Sequence, residues 1–310
     1  MLSSLFASWR TATYHDNPIT MNYRHIYHAG NFADVFKHIV LTRLIDYLKR
    51  KDQAFRVIDT HAGIGIYDLS SKEAQKTGEW LEGVGKFLSH PIADKNLSLL
   101  KPWLETINTL NHSQNIITQY PGSPYIIRNM LRKQDRMTAI ELHHEDYAHL
   151  TTHFANDFQT RLIQLDGYLS LKAHLPVKEK RGLILVDPPF EEKDEFQRII
   201  DGLRNAYRRF SGGMYVFWYP VKHYDAVEHF LKALHETSIP KILRLELRIR
   251  QVSNDKQENK MGLDGSGLII INPPYILEQE LQIIEPLLIE RLGQDKHARL
   301  IREWIREETV

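Results

Sequence analysis

Short apolar runs punctuate this chain, and the stretches between them carry apolar residues at helical spacing. The runs at 55–59, 137–141, 161–165, 183–187, 214–219, 242–249 and 268–272 read as strands. Segments 34–49, 196–210 and 225–236 repeat their apolar positions every three to four residues and read as helices. Strands alternating with helices predict an α/β fold with a doubly wound, mainly parallel sheet, because a parallel neighbour needs a crossover and a helix supplies it. Leu183-Ile184-Leu185-Val186 is apolar throughout, as a strand covered on both faces must be. The last two strands are joined by the polar loop 251–267 and not by a helix, so they are expected to pair antiparallel at one edge. That loop has no apolar anchor and is expected to be mobile.

One gap is too long for a crossover. Between the first and second strands lie helical candidates at 72–89 and 96–111, followed by the turn Tyr120-Pro121-Gly122-Ser123-Pro124. Residues 67–119 are therefore expected to form an inserted helical subdomain, with 21–66 and 120–310 making the main domain.

With 310 residues, 42% hydrophobic, the chain is long enough to bury a full core. It contains 0 cysteines, which excludes disulfides and thiolate metal sites and agrees with a cytoplasmic location. No apolar stretch has the length of a membrane span. A formal net charge of +1 gives no global attraction to a polyanion, so nucleic-acid contacts must come from local patches. The candidates are Arg204, Arg208 and Arg209 on a helix, and Lys241, Arg244, Arg248 and Arg250 along a strand; a merely solvated face is the competing reading. No heptad or exposed apolar seam stands out, so a monomer is expected.

Candidate chemistry gathers at the carboxyl ends of the strands, where open α/β sheets bind ligands. Asp187-Pro188-Pro189-Phe190 follows the buried run directly. A carboxylate and the Pro188 carbonyl can both accept from an exocyclic amino group, while Phe190 offers a face on which a flat base stacks. The bland reading is turn punctuation. Asp59-Thr60-His61-Ala62-Gly63-Ile64-Gly65 ends the first strand, and Gly63 lets the backbone approach a ligand closely. Asp68 stands where a dinucleotide fold needs a third glycine, which argues against a pyrophosphate cofactor. Glu141 ends the second strand and Asp166-Gly167 the third, so Asp59, Glu141, Asp166 and Asp187 share one edge and suit a neutral or cationic nucleoside. A second tetrapeptide, Asn272-Pro273-Pro274-Tyr275, ends a strand expected to run the other way and reads as a structural exit.

Together these segments resemble the S-adenosylmethionine-dependent amino-methyltransferases, and more closely the RlmJ family, which methylates adenine N6 in bacterial large-subunit (23S) ribosomal RNA. The resemblance runs from Met21 onward through Tyr23-Arg24-His25, His28-Ala29-Gly30-Asn31, Lys37-His38, Asp59-Thr60-His61-Ala62-Gly63 and Tyr120-Pro121-Gly122-Ser123-Pro124. It continues through Glu141-Leu142-His143, Asp166-Gly167, Asp187-Pro188-Pro189 and Trp218-Tyr219-Pro220. It implies a Rossmann-like class I methyltransferase sheet with its last strand antiparallel and an inserted helical subdomain. It also implies S-adenosyl-L-methionine at Lys37, His38, His61, Ser123, Glu141, Asp166 and Gly167, with Asp187 shared between cofactor and target base, and Tyr23 and His25 near the active site. Residues 1–20 precede the family pattern, which implies an extension outside the fold and Met21 as initiator. Phe190 stands where the family often has tyrosine.

Hydrogen bonds from N6 to Asp187 and Pro188 favour a pyramidal nitrogen whose lone pair points at the methyl group. The adenine must first leave its stack, at a cost on the order of a few kcal/mol. Stacking on Phe190, worth about 1–3 kcal/mol per base, recovers part of it. A DNA adenine-N6 or cytosine-N4 methyltransferase shares the tetrapeptide chemistry, and a noncatalytic RNA-binding scaffold is an alternative of another class. A metal-dependent hydrolase is the third, prompted by His149 and His153 at helical ligand spacing, without the intervening glutamate of a zinc protease.

Overall fold

The computed structural model describes residues 24–112, 116–222, 224–252 and 262–308. Helix α1 (Phe32–Lys49) opens the fold, started by the Asn31 side chain, which accepts from the backbone N–H groups of Ala33 and Asp34. Strand β1 (Arg56–Asp59) follows, then β2 (Ile66–Asp68), α2 (Lys72–Thr77), α3 (Asp94–Leu110) and β3 (Gln119–Pro121), with β2 and β3 paired outside the main sheet. The chain continues through α4 (Ser123–Met130), β4 (Arg136–Glu141), α5 (His144–His153), β5 (Thr160–Gln164), α6 (Gly167–Ala173), β6 (Gly182–Val186) and α7 (Glu195–Arg209). It ends with β7 (Met214–Val221), α8 (Tyr224–Glu236), β8 (Ile242–Arg248), β9 (Gly265–Ile271), α9 (Leu277–Leu292) and β10 (Arg299–Arg306).

The main sheet has the order β10-β8-β9-β7-β6-β1-β4-β5. From β5 to β7 the neighbours are parallel, whereas β9 runs antiparallel to both β7 and β8. After β1 the sheet grows first towards β4 and β5 and then reverses towards β6 and β7. That reversal opens a crevice beyond the carboxyl ends of β1, β4 and β6. Alternation along β6 explains its apolar run: Leu183 and Leu185 join the layer containing α1, α3 and α9, and Ile184 and Val186 join the layer containing α7 and α8. No described helix is long and apolar enough to cross a membrane.

Each strand read from the sequence lies in the main sheet, but three expectations change. β8 and β9 pair antiparallel without forming the edge, because β10 covers β8. β10 escapes a pattern search because its apolar residues, Leu300, Ile301, Trp304 and Ile305, fall in adjacent pairs and not in alternation. The helix expected over 72–89 breaks: Gly78 ends α2 in the left-handed region, and the chain kinks at Gly83. A Cβ on Gly83 would lie 2.1 Å from the Gly30 carbonyl oxygen, so only glycine lets these segments touch. Third, β5 stops at Gln164, and Asp166 is not a strand end. It caps α6, where its side chain satisfies the exposed N–H groups of Tyr168 and Leu169.

Within 67–119, Val84, Phe87, Leu100, Trp103 and Ile107 are buried in the layer that contains α1. Phe87 and Trp103 meet edge to face at 5.4 Å.

Candidate active site

A cavity of about 1240 Å³ opens at the carboxyl edge of the parallel strands. Its walls include His25, Lys37, His38, His61, Gly63, Ser123, Glu141, Asp166, Gly167, Asp187, Pro188 and Phe190. These residues span the chain from the turn before α1 to the loop after β6, and the sheet order brings them together. Tyr23 lies outside the described residues, as do residues 1–20 and most of the polar loop before β9. Asn272-Pro273-Pro274-Tyr275 sits at the opposite end of the sheet, where the Asn272 amide donates to the carbonyls of Ser211 and Gly213 at 2.9 and 2.7 Å.

The centre of the site is an ion network supplied by the first turns of α1. The Lys37 ammonium is buried between Asp34 Oδ1, at 2.9 Å, and Asp187 Oδ2, with which it makes a short ion pair. Asp34 Oδ2 bonds His25 Nε2 and accepts from the Gly30 N–H, each at 2.9 Å. Burial opposes charge on both members of the Asp34–Lys37 pair. For Asp34 the charges of His25 and Lys37 prevail and hold the carboxyl well below its usual range; for Lys37 the carboxylates of Asp187 and Asp34 raise the ammonium above its usual range. With Oδ2 committed to Lys37, Asp187 Oδ1 is left without a hydrogen bond among the described residues, as is the Pro188 carbonyl.

The remaining residues line the side fed by β1, β4 and α6. Glu141 is buried at the end of β4, accepting from the Gly63 N–H and the His143 N–H, both at 2.8 Å. Gly63 has a φ of 60°, and a Cβ there would lie 2.2 Å from the Tyr67 hydroxyl. Burial raises the Glu141 pKa. Burial also lowers His38 to about 3 and His61 to about 4, so both are neutral at physiological pH. His38 Nδ1 shares a hydrogen bond of 2.9 Å with the Tyr120 hydroxyl, and His61 Nδ1 one of 2.8 Å with Thr60 Oγ1. Gly167 packs so tightly on β1 that a Cβ would lie 2.6 Å from both the His61 ring and the Thr60 carbonyl oxygen. Carboxylates at strand ends, with Asp68 drawn away to bond Ser70, form a set of acceptors suited to hydroxyl and amino groups and not to phosphate. That set fits an S-adenosylmethionine-like ligand.

Asp59 lies beneath this wall, fully buried, and neither carboxylate oxygen makes a hydrogen bond of standard geometry. Burial pushes it up to about 7, tempered by the nearby Ser123 hydroxyl and His61 backbone. A carboxyl raised on folding adds stability below its unfolded pKa and loses it as pH climbs through the folded value. Asp59→Asn therefore raises the melting temperature of the cofactor-free protein most at pH 8, and the gain shrinks towards pH 4. A gain that does not depend on pH would contradict an ionising Asp59.

Phe190 takes a φ of 54°, which an L residue rarely adopts and which marks strain at a functional loop. Edge-to-face contacts with Phe196 at 5.0 Å and Trp218 at 5.6 Å hold its ring. Sequence patterns pass over several residues of the site. Asp34, Tyr67 and Arg198 contribute to it without belonging to any recognisable local pattern, although Asp34 has the helix-start position that suits an acidic residue.

The structure changes one of the two basic patches: the helix patch stays exposed, whereas most of the strand stripe is buried or paired. Arg204, Arg208 and Arg209 end α7, away from the cavity, because α7 runs back from the carboxyl edge. Arg244 and Arg248 are buried on β8 against Glu246, at 2.8 and 2.6 Å, and Lys241 pairs with Glu308. Arg250 alone of this group reaches the cavity wall. His149 and His153 lie on α5, and among the described residues no three acidic or histidine side chains are arranged to hold a metal ion.

Comparison with known proteins places this geometry in a family. The chain is 38% identical to ribosomal RNA large subunit methyltransferase J of Haemophilus influenzae over 93% of its length and 100% of that protein. It is 39% identical to the protein of the same name from Escherichia coli K12, over 92% of this chain and 99% of that one. A crystal structure of a Legionella pneumophila protein, 38% identical, superposes with a TM-score of 0.79 over 89% of this chain and 98% of its own. Residues 52–306 match the family model described as ribosomal RNA large subunit methyltransferase D, RlmJ. This chain is therefore a methyltransferase of the RlmJ family.

Proposed function

We propose that this chain transfers the methyl group of S-adenosyl-L-methionine to the exocyclic N6 of one adenine in large-subunit (23S) ribosomal RNA. The observation that carries the proposal is the pair of open acceptors at one strand end, Asp187 Oδ1 and the Pro188 carbonyl, with the other Asp187 oxygen fixed by Lys37. When bound, the cofactor supplies an electrophilic methyl on a sulfonium. The two acceptors hold the N6 hydrogens so that the nitrogen lone pair is directed into the cavity. Phe190 stacks the turned-out base, and His25 closes the same side. Glu141 and Asp166 receive the hydroxyl and amino groups of the cofactor, with Gly63 and Gly167 allowing close approach and His61, His38, Lys37 and Ser123 completing the wall. Positioning of this kind lowers a barrier by several kcal/mol in favourable cases.

The reading extends to a single chain acting in the cytoplasm, with 67–119 as an insertion in the methyltransferase domain. Incubation with labelled S-adenosylmethionine and unmodified ribosomal RNA, followed by digestion to nucleosides, is expected to yield labelled N6-methyladenosine. Label in DNA but not in RNA would favour the DNA methyltransferase. RNA binding without cofactor binding would favour a scaffold.

A further inference from the structure

We infer that Arg198 is a positioning residue that ties the cofactor-facing turn of α6 to the loop bearing Asp187 and Phe190; the inference rests on the methyltransferase reading above. α6 begins at Asp166 and Gly167 in the cavity wall, and α7 begins directly after the loop that starts at Asp187. Arg198 Nη2 donates to Asp166 Oδ2 at 3.0 Å, and Arg198 Nη1 lies 3.4 Å from Glu195 Oε1. In the reverse direction, the Tyr168 hydroxyl of α6 donates to Glu195 Oε1 of α7 at 2.7 Å. The Arg198 guanidinium lies over the Tyr168 ring, 4.5 Å from its centre. Each helix therefore supplies one donor and one acceptor, and the links cross.

The consequence reaches both halves of the cavity. Asp166 Oδ1 is already taken by the N–H groups of Tyr168 and Leu169, so Arg198 on Oδ2 fixes the orientation of the carboxylate towards the cavity. Glu195 is 1% exposed and its Oε2 has no hydrogen-bond partner among the described residues, a costly placement for a group with no task. Its neighbour Phe196 packs edge-on against Phe190. The two helices pack closely here: a Cβ at Gly202 would lie 3.0 Å from the Tyr168 ring. A displacement of Asp166 is thus passed through Arg198 and Glu195 to the turn that supports the stacking ring.

Arg198→Met keeps the aliphatic stem over Tyr168 and removes the charged fork. Steady-state kinetics with S-adenosylmethionine and unmodified ribosomal RNA should show KM for the cofactor raised about tenfold with kcat lowered less than about threefold, the size expected for loss of one charge-assisted hydrogen bond. Arg198→Lys should recover part of the loss. Because Arg198 acts through Asp166, the double variant Asp166→Asn/Arg198→Met should be no worse than Asp166→Asn alone. An unchanged KM in Arg198→Met, or effects that multiply in the double variant, overturns the inference. If Arg198→Met does not fold, Tyr168→Phe replaces it: a raised cofactor KM supports the tie and an unchanged one overturns it. Unaltered protein that leaves ribosomal RNA unmethylated overturns the functional reading instead.

Discussion

Replacing Asp187 with alanine abolishes measurable methyl transfer while the protein stays folded and binds cofactor. The substitution removes the proposed acceptor for the target nitrogen, and loss of a single preorganised polar group at a reacting centre costs roughly 10²–10³-fold or more. The fold survives because Lys37 keeps Asp34, 2.9 Å away, as its partner. Single-turnover rates on ribosomal RNA, measured beside the melting temperature and the affinity for S-adenosylhomocysteine, separate these effects. Normal transfer by Asp187→Ala would sink the proposed chemistry; lost transfer together with lost folding would move Asp187 from the reaction to the scaffold.

Lys37→Met produces the largest loss of stability. The ammonium is 4% exposed between the carboxylates of Asp34 and Asp187, which are 2% and 13% exposed. Removing one partner of a buried ion pair leaves uncompensated charge and costs about 3–5 kcal/mol. The pH dependence has a defined sign. Asp34 has a pKa lowered on folding, so its stabilisation is present above the ordinary carboxylate value and is lost as pH falls through the lower folded value. The gap between Lys37→Met and the unaltered protein should be widest near pH 7, begin to narrow below the ordinary carboxylate range, and close only as the pH passes the lower folded value of Asp34. Denaturant unfolding across that range checks it, and a gap that stays constant would show that the lost energy is packing and not charge.

His25 and the Gly30 N–H share the Asp34 oxygen not used by Lys37, so the same substitution should disturb the start of α1 as well. One change in α1 is thereby felt at Asp187, 150 residues later in the chain.

Much of this molecule was legible from its residues. The apolar run before Asp187 announced a buried parallel strand, because a strand covered on both faces has no polar positions. The strand–helix alternation led to the doubly wound sheet, and acidic residues at strand ends marked the edge where the cavity opens. The lines that failed depended on something remote. Arg244 and Arg248 look like an exposed basic stripe until β8 is seen to be covered by β10 and their charges to be spent on Glu246, itself fully buried. Asp166 looks like a strand end until α6 needs a cap. β10 carries its apolar residues in adjacent pairs without strand alternation, and its pairing with β8 draws on backbone groups that every sequence has.

The sequence by itself determined which segments bury one face or two and which chemical groups stand at their ends, since periodicity and turn chemistry are local properties. Only the tertiary structure decided that Lys37 holds Asp187 and that Arg198 reaches Asp166 across two helices. Distance and burial depend on the order and direction of strands, and these are settled by pairings between residues far apart in the chain.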